Sequence, residues 1–400
     1  MILRRKYPLS SLLFFWAYGL FILLTTISTS FYFRYIMGSP YRIGIGICLG
    51  LLILKELATV RNTKRGALGL MVCLIMIALI YLADISNRNI VMITFFLVYC
   101  SRNISFEKIG WFTLKFVAFL VVIIIMSSLI GVIPNYTSST GGRERQYIGF
   151  LYALFPSTIV CNETMLLFYL KRNKIKWKEI VVALAINVWI YNQTKSRLTF
   201  LFAVVVLLTG AVKKLKPGFI GSKFSRRIMA SIPLLCGVFS VAIASLYSPS
   251  NIILLAIDKA LDGRVSIAHS AMESYGFKLF GTHFAMIGNG LDAMGNNTSR
   301  LYLAYSYIDN LYIQLLLRNG IIFFLLFMAI LIFSIHKAVI IDKDGYLSFI
   351  LSMLAVEAII QDSFLSLNFN TFLFIIASLM LIEAREYRKG RDKTWALKNL

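Results

Sequence analysis

Four short stretches of this chain carry residues suited to holding an anion and moving a proton. GGRERQYIGF at 141–150 holds Arg143 and Arg145, NQTKSRLTF at 192–200 holds Ser196 and Arg197, and Asp262-Gly263-Arg264 and Ile308-Asp309-Asn310 follow. An arginine fork grips two oxygens of a phosphate at once. Each of these arginines can therefore hold an anion and stabilise charge as it develops on a leaving group. A partly desolvated carboxylate near arginines can take the proton of an attacking hydroxyl. Asp309 fits that role, or it caps the helix that follows it, and His269 and His283 are the rival bases. The arginines have structural readings too. Arg143, Arg145 and Arg197 could snorkel to lipid head groups, and Arg264 could pair with Asp258 or Asp262.

The elements that must position these residues are apolar. Of 400 residues, 58% are hydrophobic and only 15% charged, too apolar a balance for an ordinary soluble domain. The composition predicts an all-α polytopic membrane protein. A stretch of about 20 apolar residues is needed to cross the hydrocarbon, and about twelve candidates occur. They lie near 9–31, 43–57, 66–83, 90–100, 109–133, 149–170, 180–192, 198–212, 228–246, 310–335, 346–360 and 371–382. Residues 1–246 then hold nine spans, with a short external arginine loop at 134–148. Residues 247–309 form a large external loop, and 310–400 hold three spans and a basic tail.

Lys and Arg outnumber Asp and Glu by 41 to 18. They are scattered between apolar runs without interleaved aromatics, which argues against nucleic acid and for anionic lipid head groups. About 28 of the 41 gather on one set of alternate loops, which makes that set cytoplasmic and places both termini inside. Arg4, Arg5 and Lys6 precede an apolar stretch too long for a cleaved leader, so the stretch is read as a retained anchor. The five cysteines fall in apolar stretches with no C-x-x-C pair, which predicts packing roles with neither disulfides nor metal.

The loop 247–309 is longer than a passive connection and too apolar to be disordered. Pro249 and Ser250 mark the start of an interfacial helix, and Asp262 is placed to cap a second helix reaching Tyr275. Arg264 in its first turn opposes the helix dipole by roughly 0.3–1 kcal/mol, a placement that points to an anion ligand. Arg318, roughly 13 Å into its span by helix rise, must face protein or water. Glu163 and Glu357 are its candidate ion-pair partners, and Arg318 could equally line a substrate cavity.

In order along the chain, GRERQYIGF, KSR, DGRVSIAHSAMESYGFKLFGTHF and YIDNLYIQLLLRNGIIFFL resemble the Wzy-type polysaccharide polymerases and the related O-antigen ligases. That family shows an R-x-R segment, an S-R pair, a G-R in a large external loop, and H-N or D-N-x-Y opening the next span. The likeness covers about residues 140–325. It implies a GT-C-like glycosyltransferase that joins undecaprenyl-diphosphate-linked oligosaccharide repeat units at the outer face of a bacterial plasma membrane, without metal or cofactor.

Residue by residue, the resemblance implies that Arg143, Arg145, Tyr147, Ser196, Arg197, His283, Asn310, Tyr312 and Arg318 bind substrate and that Arg264 and Asp309 act in catalysis. Asp309 stands where the ligases have His, which leaves the base open and favours a polymerase. Lipid-linked donor and acceptor, the bilayer, a chain-length regulator and a flippase would be its partners. A transporter of the same lipid-linked sugars, or a ligase of O-antigen or teichoic type, is the alternative. The large loop on one face favours chemistry there over alternating access.

Overall fold

The computed structural model describes residues 9–59, 64–83, 88–140, 143–216, 222–296, 305–341 and 343–379. Gly141 and Gly142, the basic start of the chain with Arg4, Arg5 and Lys6, and the basic tail with the end of the twelfth apolar stretch lie outside those residues. The chain is predominantly helical because long runs of Leu, Ile, Phe and Val, apolar on all sides, leave the backbone to satisfy its own hydrogen bonds. In order these are α1 (Leu9–Ile27), a single turn α2 (Phe33–Ile36), α3 (Ser39–Leu57), α4 (Lys64–Leu82), α5 (Arg88–Cys100) and α6 (Phe106–Leu129). A two-stranded hairpin follows, β1 (Thr137–Thr140) and β2 (Arg143–Gln146). Then come α7 (Leu154–Lys171), α8 (Trp177–Thr194), α9 (Arg197–Leu215), α10 (Lys223–Ser245), α11 (Ile252–Ala260), α12 (Arg264–Tyr275), α13 (Leu311–Gln314), α14 (Gly320–His336) and α15 (Gly345–Glu357).

Each of the twelve apolar stretches contains helical structure, the last as a 3-10 helix over Thr371–Leu379. Five helical segments among the described residues are long and apolar enough to cross a membrane: Leu9–Ile27, Phe106–Leu129, Arg197–Leu215, Lys223–Ser245 and Leu311–Val339. Gly66–Leu82 and Gly345–Glu357 are apolar but shorter. The other stretches fall below that length and apolarity for visible reasons. α5 has 13 residues, a rise of about 20 Å, and α3 and α7 carry Lys55-Glu56 and Asn162-Glu163 within their turns.

α7 is the hub, buried almost continuously from Pro156 to Tyr169 and packed against α6, α8 and α9. α1 lies on α3, and α10 on α15. Phe14, Tyr18 and Phe374 interlock edge-to-face and stacked in the core. The outward surface stays apolar: Ile43, Leu68, Phe119, Val181, Leu201 and Leu235 are all exposed, as suits helices solvated by hydrocarbon. All five cysteines are free and buried.

Some basic residues assigned to head groups turn inward instead. Arg102, 2% exposed, grips Glu56 with both terminal nitrogens at 2.7 and 2.6 Å, and Lys55 reaches the same carboxylate at 2.6 Å. Arg318 forms no ion pair with Glu163 or Glu357. Both carboxylate oxygens of Glu163 and one of Glu357 are buried without a hydrogen-bond partner. An acid inside an apolar span does not find the nearest arginine by sequence arithmetic, because helix facing decides.

In the large loop α11 begins at Asn251, whose side chain accepts from the amides of Ile253 and Leu254, so Pro249 and Ser250 precede the cap. α12 is not capped by Asp262, which is in the left-handed region at φ 54° and largely exposed. Asp258, at the end of α11, accepts from the amides of Val265 and Ser266 at 2.9 Å each. A carboxylate one turn further back thus clamps both helices together across Gly263.

The long apolar run after Asn310 is not one straight helix. α13 passes into a π-helical turn at Leu315–Asn319 before α14 starts at Gly320. The loop segment 278–282 docks there: Thr282 donates to the Leu317 carbonyl at 2.9 Å, and the amides of Ile321 and Ile322 donate to Lys278 and Leu279 at 3.0 and 3.2 Å. Gly281 and Gly320 have φ of 84° and 90°, and a Cβ on Gly281 would sit 2.1 Å from the Arg318 carbonyl oxygen. Only glycine allows that approach.

Candidate functional site

The extended segment 305–309 enters α13, and its placement decides what Asp309 can do. Leu311 donates to the carbonyl of Ala358 on the turn after α15, and Asn310 caps α13 by accepting from the Ile313 amide at 3.2 Å. The capping role considered for Asp309 therefore belongs to Asn310. Asp309 turns its carboxylate the other way, accepting from the Tyr305 hydroxyl at 2.8 Å and lying 3.2 Å from Nε of Arg264.

Burial pushes the Asp309 carboxyl above the usual carboxylate range. The Arg264 charge and the Tyr305 hydroxyl pull it back, and the nearby Asp362 pushes it up again. The Tyr305 phenol is itself pushed up by burial and by Asp309, so it stays protonated as a donor. The result is a shielded carboxylate with one cation and one phenol, one fifth exposed to solvent. Among the described residues no backbone amide donates to it.

Arg264 is the first residue of α12, as the sequence implies, but its partner is neither Asp258 nor chiefly Asp262. Nη1 donates to the Leu261 carbonyl at 3.1 Å and lies 3.8 Å from Asp262, the longer of its two carboxylate contacts. The closer carboxylate is Asp309, although the Nε–H is not aimed along a hydrogen bond to it. A guanidinium held this loosely keeps donor capacity for an incoming anion.

The loop expected at 134–148 contains a hairpin instead: β2 pairs antiparallel with β1, Arg145 opposite Ser138 and Arg143 opposite Thr140, so Arg143 and Arg145 share a strand face. Arg145 reaches the α8–α9 turn, with Nε donating to the Thr194 carbonyl at 2.9 Å and Nη2 to Ser196 Oγ at 3.2 Å. Two of the four stretches are joined directly by this pair. The Arg145 guanidinium also stands 5.8 Å from the Tyr152 ring. The hairpin arginine and the α8–α9 turn thus form one cluster, and Asp309, Tyr305 and Arg264 form another.

The remaining residues named above hold other places. Arg197 is exposed at the first position of α9, and His283 is exposed beside the buried Phe284. Tyr147 is buried edge-on against Tyr136 beneath the hairpin. Tyr312 is buried and donates to the Ala355 carbonyl of α15 at 3.1 Å. His269 is tied to the Ala244 carbonyl at 2.8 Å and lies 3.4 Å from Glu273, an arrangement that joins α12 to α10. Arg318, 9% exposed, sits in the π-helical turn with its guanidinium 5.9 Å from the Phe284 ring.

Sequence reasoning missed Tyr305, Tyr307 and Asp362. Asp362 accepts from the Tyr307 hydroxyl and from Gln314 Nε2 at 2.9 Å, within electrostatic reach of Arg318. The signal for the tyrosines was in the alternation Tyr305-Ser306-Tyr307-Ile308-Asp309, in which every second side chain is polar and bulky. Asp362 carried no local signal, because its partners lie 48 and 55 positions away.

Comparison of the chain with known protein families, with curated proteins and with solved structures gives no match. Function must therefore be argued from this geometry: a shielded carboxylate able to accept a proton, beside one arginine able to receive an anion.

Proposed function

We propose that the chain is a membrane-embedded polysaccharide polymerase that joins lipid-diphosphate-linked oligosaccharide repeat units, with undecaprenyl diphosphate as the leaving group, at the outer face of a bacterial plasma membrane. The observation that carries this reading is the placement of Asp309, relieved of capping by Asn310 and held against Arg264 and Tyr305. In this reading the acceptor hydroxyl gives its proton to Asp309 as its oxygen attacks the anomeric carbon of the donor. The new glycosidic bond forms while the bond to the diphosphate breaks, and the diphosphate leaves with the electron pair. Arg264 neutralises the charge that collects on it. Twelve membrane crossings in a GT-C-like arrangement, with both termini cytoplasmic, complete the proposal.

The direct test incubates the purified protein with lipid-linked repeat unit and looks for a ladder of products on a gel. Unchanged substrate under conditions in which the protein is folded would sink the reading. Charge stabilisation is assigned to arginines, and among the described residues no three side chains of metal-ligating type converge. Chain growth is accordingly expected to continue in excess EDTA; loss of activity on chelation, restored by Mg²⁺, would show that a metal does this work instead.

A further inference from the structure

We infer that the cleft flanking α12 is the acceptor subsite of this reaction, taking the uncharged, hydroxyl-rich end of a repeat-unit oligosaccharide. The inference deepens the polymerase reading and rests on it. The cleft has a volume of about 320 Å³, room for about ten waters or the bulk of one to two sugar rings. Three of its lining residues, Ser266, Ser270 and Ser274, are spaced by four along α12, so their hydroxyls form a row on one helix face. Ser306 adds a fourth hydroxyl from the facing segment.

No described residue lining the cleft is charged. A phosphate or diphosphate would find no charged group on the wall itself, Arg318 standing behind the Phe284 ring, whereas a sugar finds donors and acceptors in the neutral form it needs. At one end Tyr275 and Phe284 stack with centroids 4.0 Å apart and planes 8° from parallel. Such a rigid aromatic pair presents an apolar face of the kind on which the CH face of a sugar ring can lie.

Position gives the cleft its place in the reaction. Tyr305 is part of its wall, and the same phenol donates to Asp309. A sugar seated there lies one side chain from the proposed base. Arg264 lies beyond Asp309 from that phenol and two residues before Ser266 on the same helix. The reacting ends are thereby sorted by charge: the donor's diphosphate to Arg264, the acceptor's neutral sugar end to the serines.

The test uses repeat-unit oligosaccharide freed from its lipid by mild acid, with binding to the full-length protein followed by saturation-transfer NMR and titration. Ser270 and Ser274 are exposed, so substitution there does not disturb the core. Ser270→Trp, which fills the cleft, is expected to weaken binding by tenfold or more. The paired change Ser270→Ala with Ser274→Ala removes hydroxyls without adding bulk and should weaken it about three- to tenfold for each bond lost. Arg264→Ala should leave binding of this uncharged probe within about twofold.

Binding that survives both cleft variants overturns the subsite while leaving the polymerase reading standing. No binding to the wild type also overturns it, and the ladder assay on the same preparation then shows whether the polymerase reading falls as well. Binding lost in Arg264→Ala but kept in Ser270→Trp would move the acceptor to the arginines.

Discussion

Asp309→Asn is expected to give a folded protein that binds lipid-linked substrate and forms no detectable polymer. The amide keeps an oxygen to accept from Tyr305 and disturbs no cap, since Asn310 performs that task. It cannot accept a proton at neutral pH. Loss of a general base lowers rates by about a hundredfold to ten thousandfold, while the melting temperature should stay near wild type. The sign of the pH effect follows from the same placement. Activity requires the carboxylate, and burial raises the pH at which it forms. The wild-type rate should therefore begin to fall on acidification above the range of an ordinary aspartate. An Asn variant that polymerises at the wild-type rate would remove Asp309 from the chemistry and return the search to His283 and His269.

Arg264→Ala should cost about 3 to 4 kcal/mol of transition-state stabilisation, on the order of a hundredfold or more in rate. Arg264→Lys should recover little of it, because an ammonium lacks the fork that spans two phosphate oxygens. A second readout separates this role from mere support of α12. The Arg264 charge holds the Asp309 carboxyl down, so its removal raises that carboxyl further and moves the acid limb of the rate profile to higher pH. Lysine restores a charge and should bring the limb back while leaving the rate low. An alanine variant with full activity and an unmoved limb would show that Arg264 is structural.

What could be read from the sequence was whatever depends on local pattern. Apolar runs mark helices because the backbone in such runs has no other partner, and all twelve stretches hold helical structure for that reason. Whether each crosses a bilayer depends on length and on the polar residues inside it, and α3, α5 and α7 show how those erode a simple count. Arg264 at a helix start was legible, since it is a matter of spacing, whereas the hairpin that puts Arg143 and Arg145 on one face lies in a segment read as a loop. The cap at Asn310, the clamp by Asp258 and the Asp362 cluster were not. In each, the deciding partner is a backbone amide or a distant side chain, and nothing in residue type distinguishes Asp309 from Asn310, or Asp258 from Asp262, before the chain is folded.

The docking of residues 278–282 against the π-helical turn makes the loop and the bend depend on each other. The amides of Ile321 and Ile322 reach carbonyls of a segment some forty residues earlier in the chain, so the bent form of this helix and the docked loop hold each other in place. Gly281 and Gly320 are the two points at which those chains touch without side chains between them. The bend and the loop thus share one backbone seam, and the segment carrying Asp309 and Tyr305 leads directly into the helix that this seam shapes.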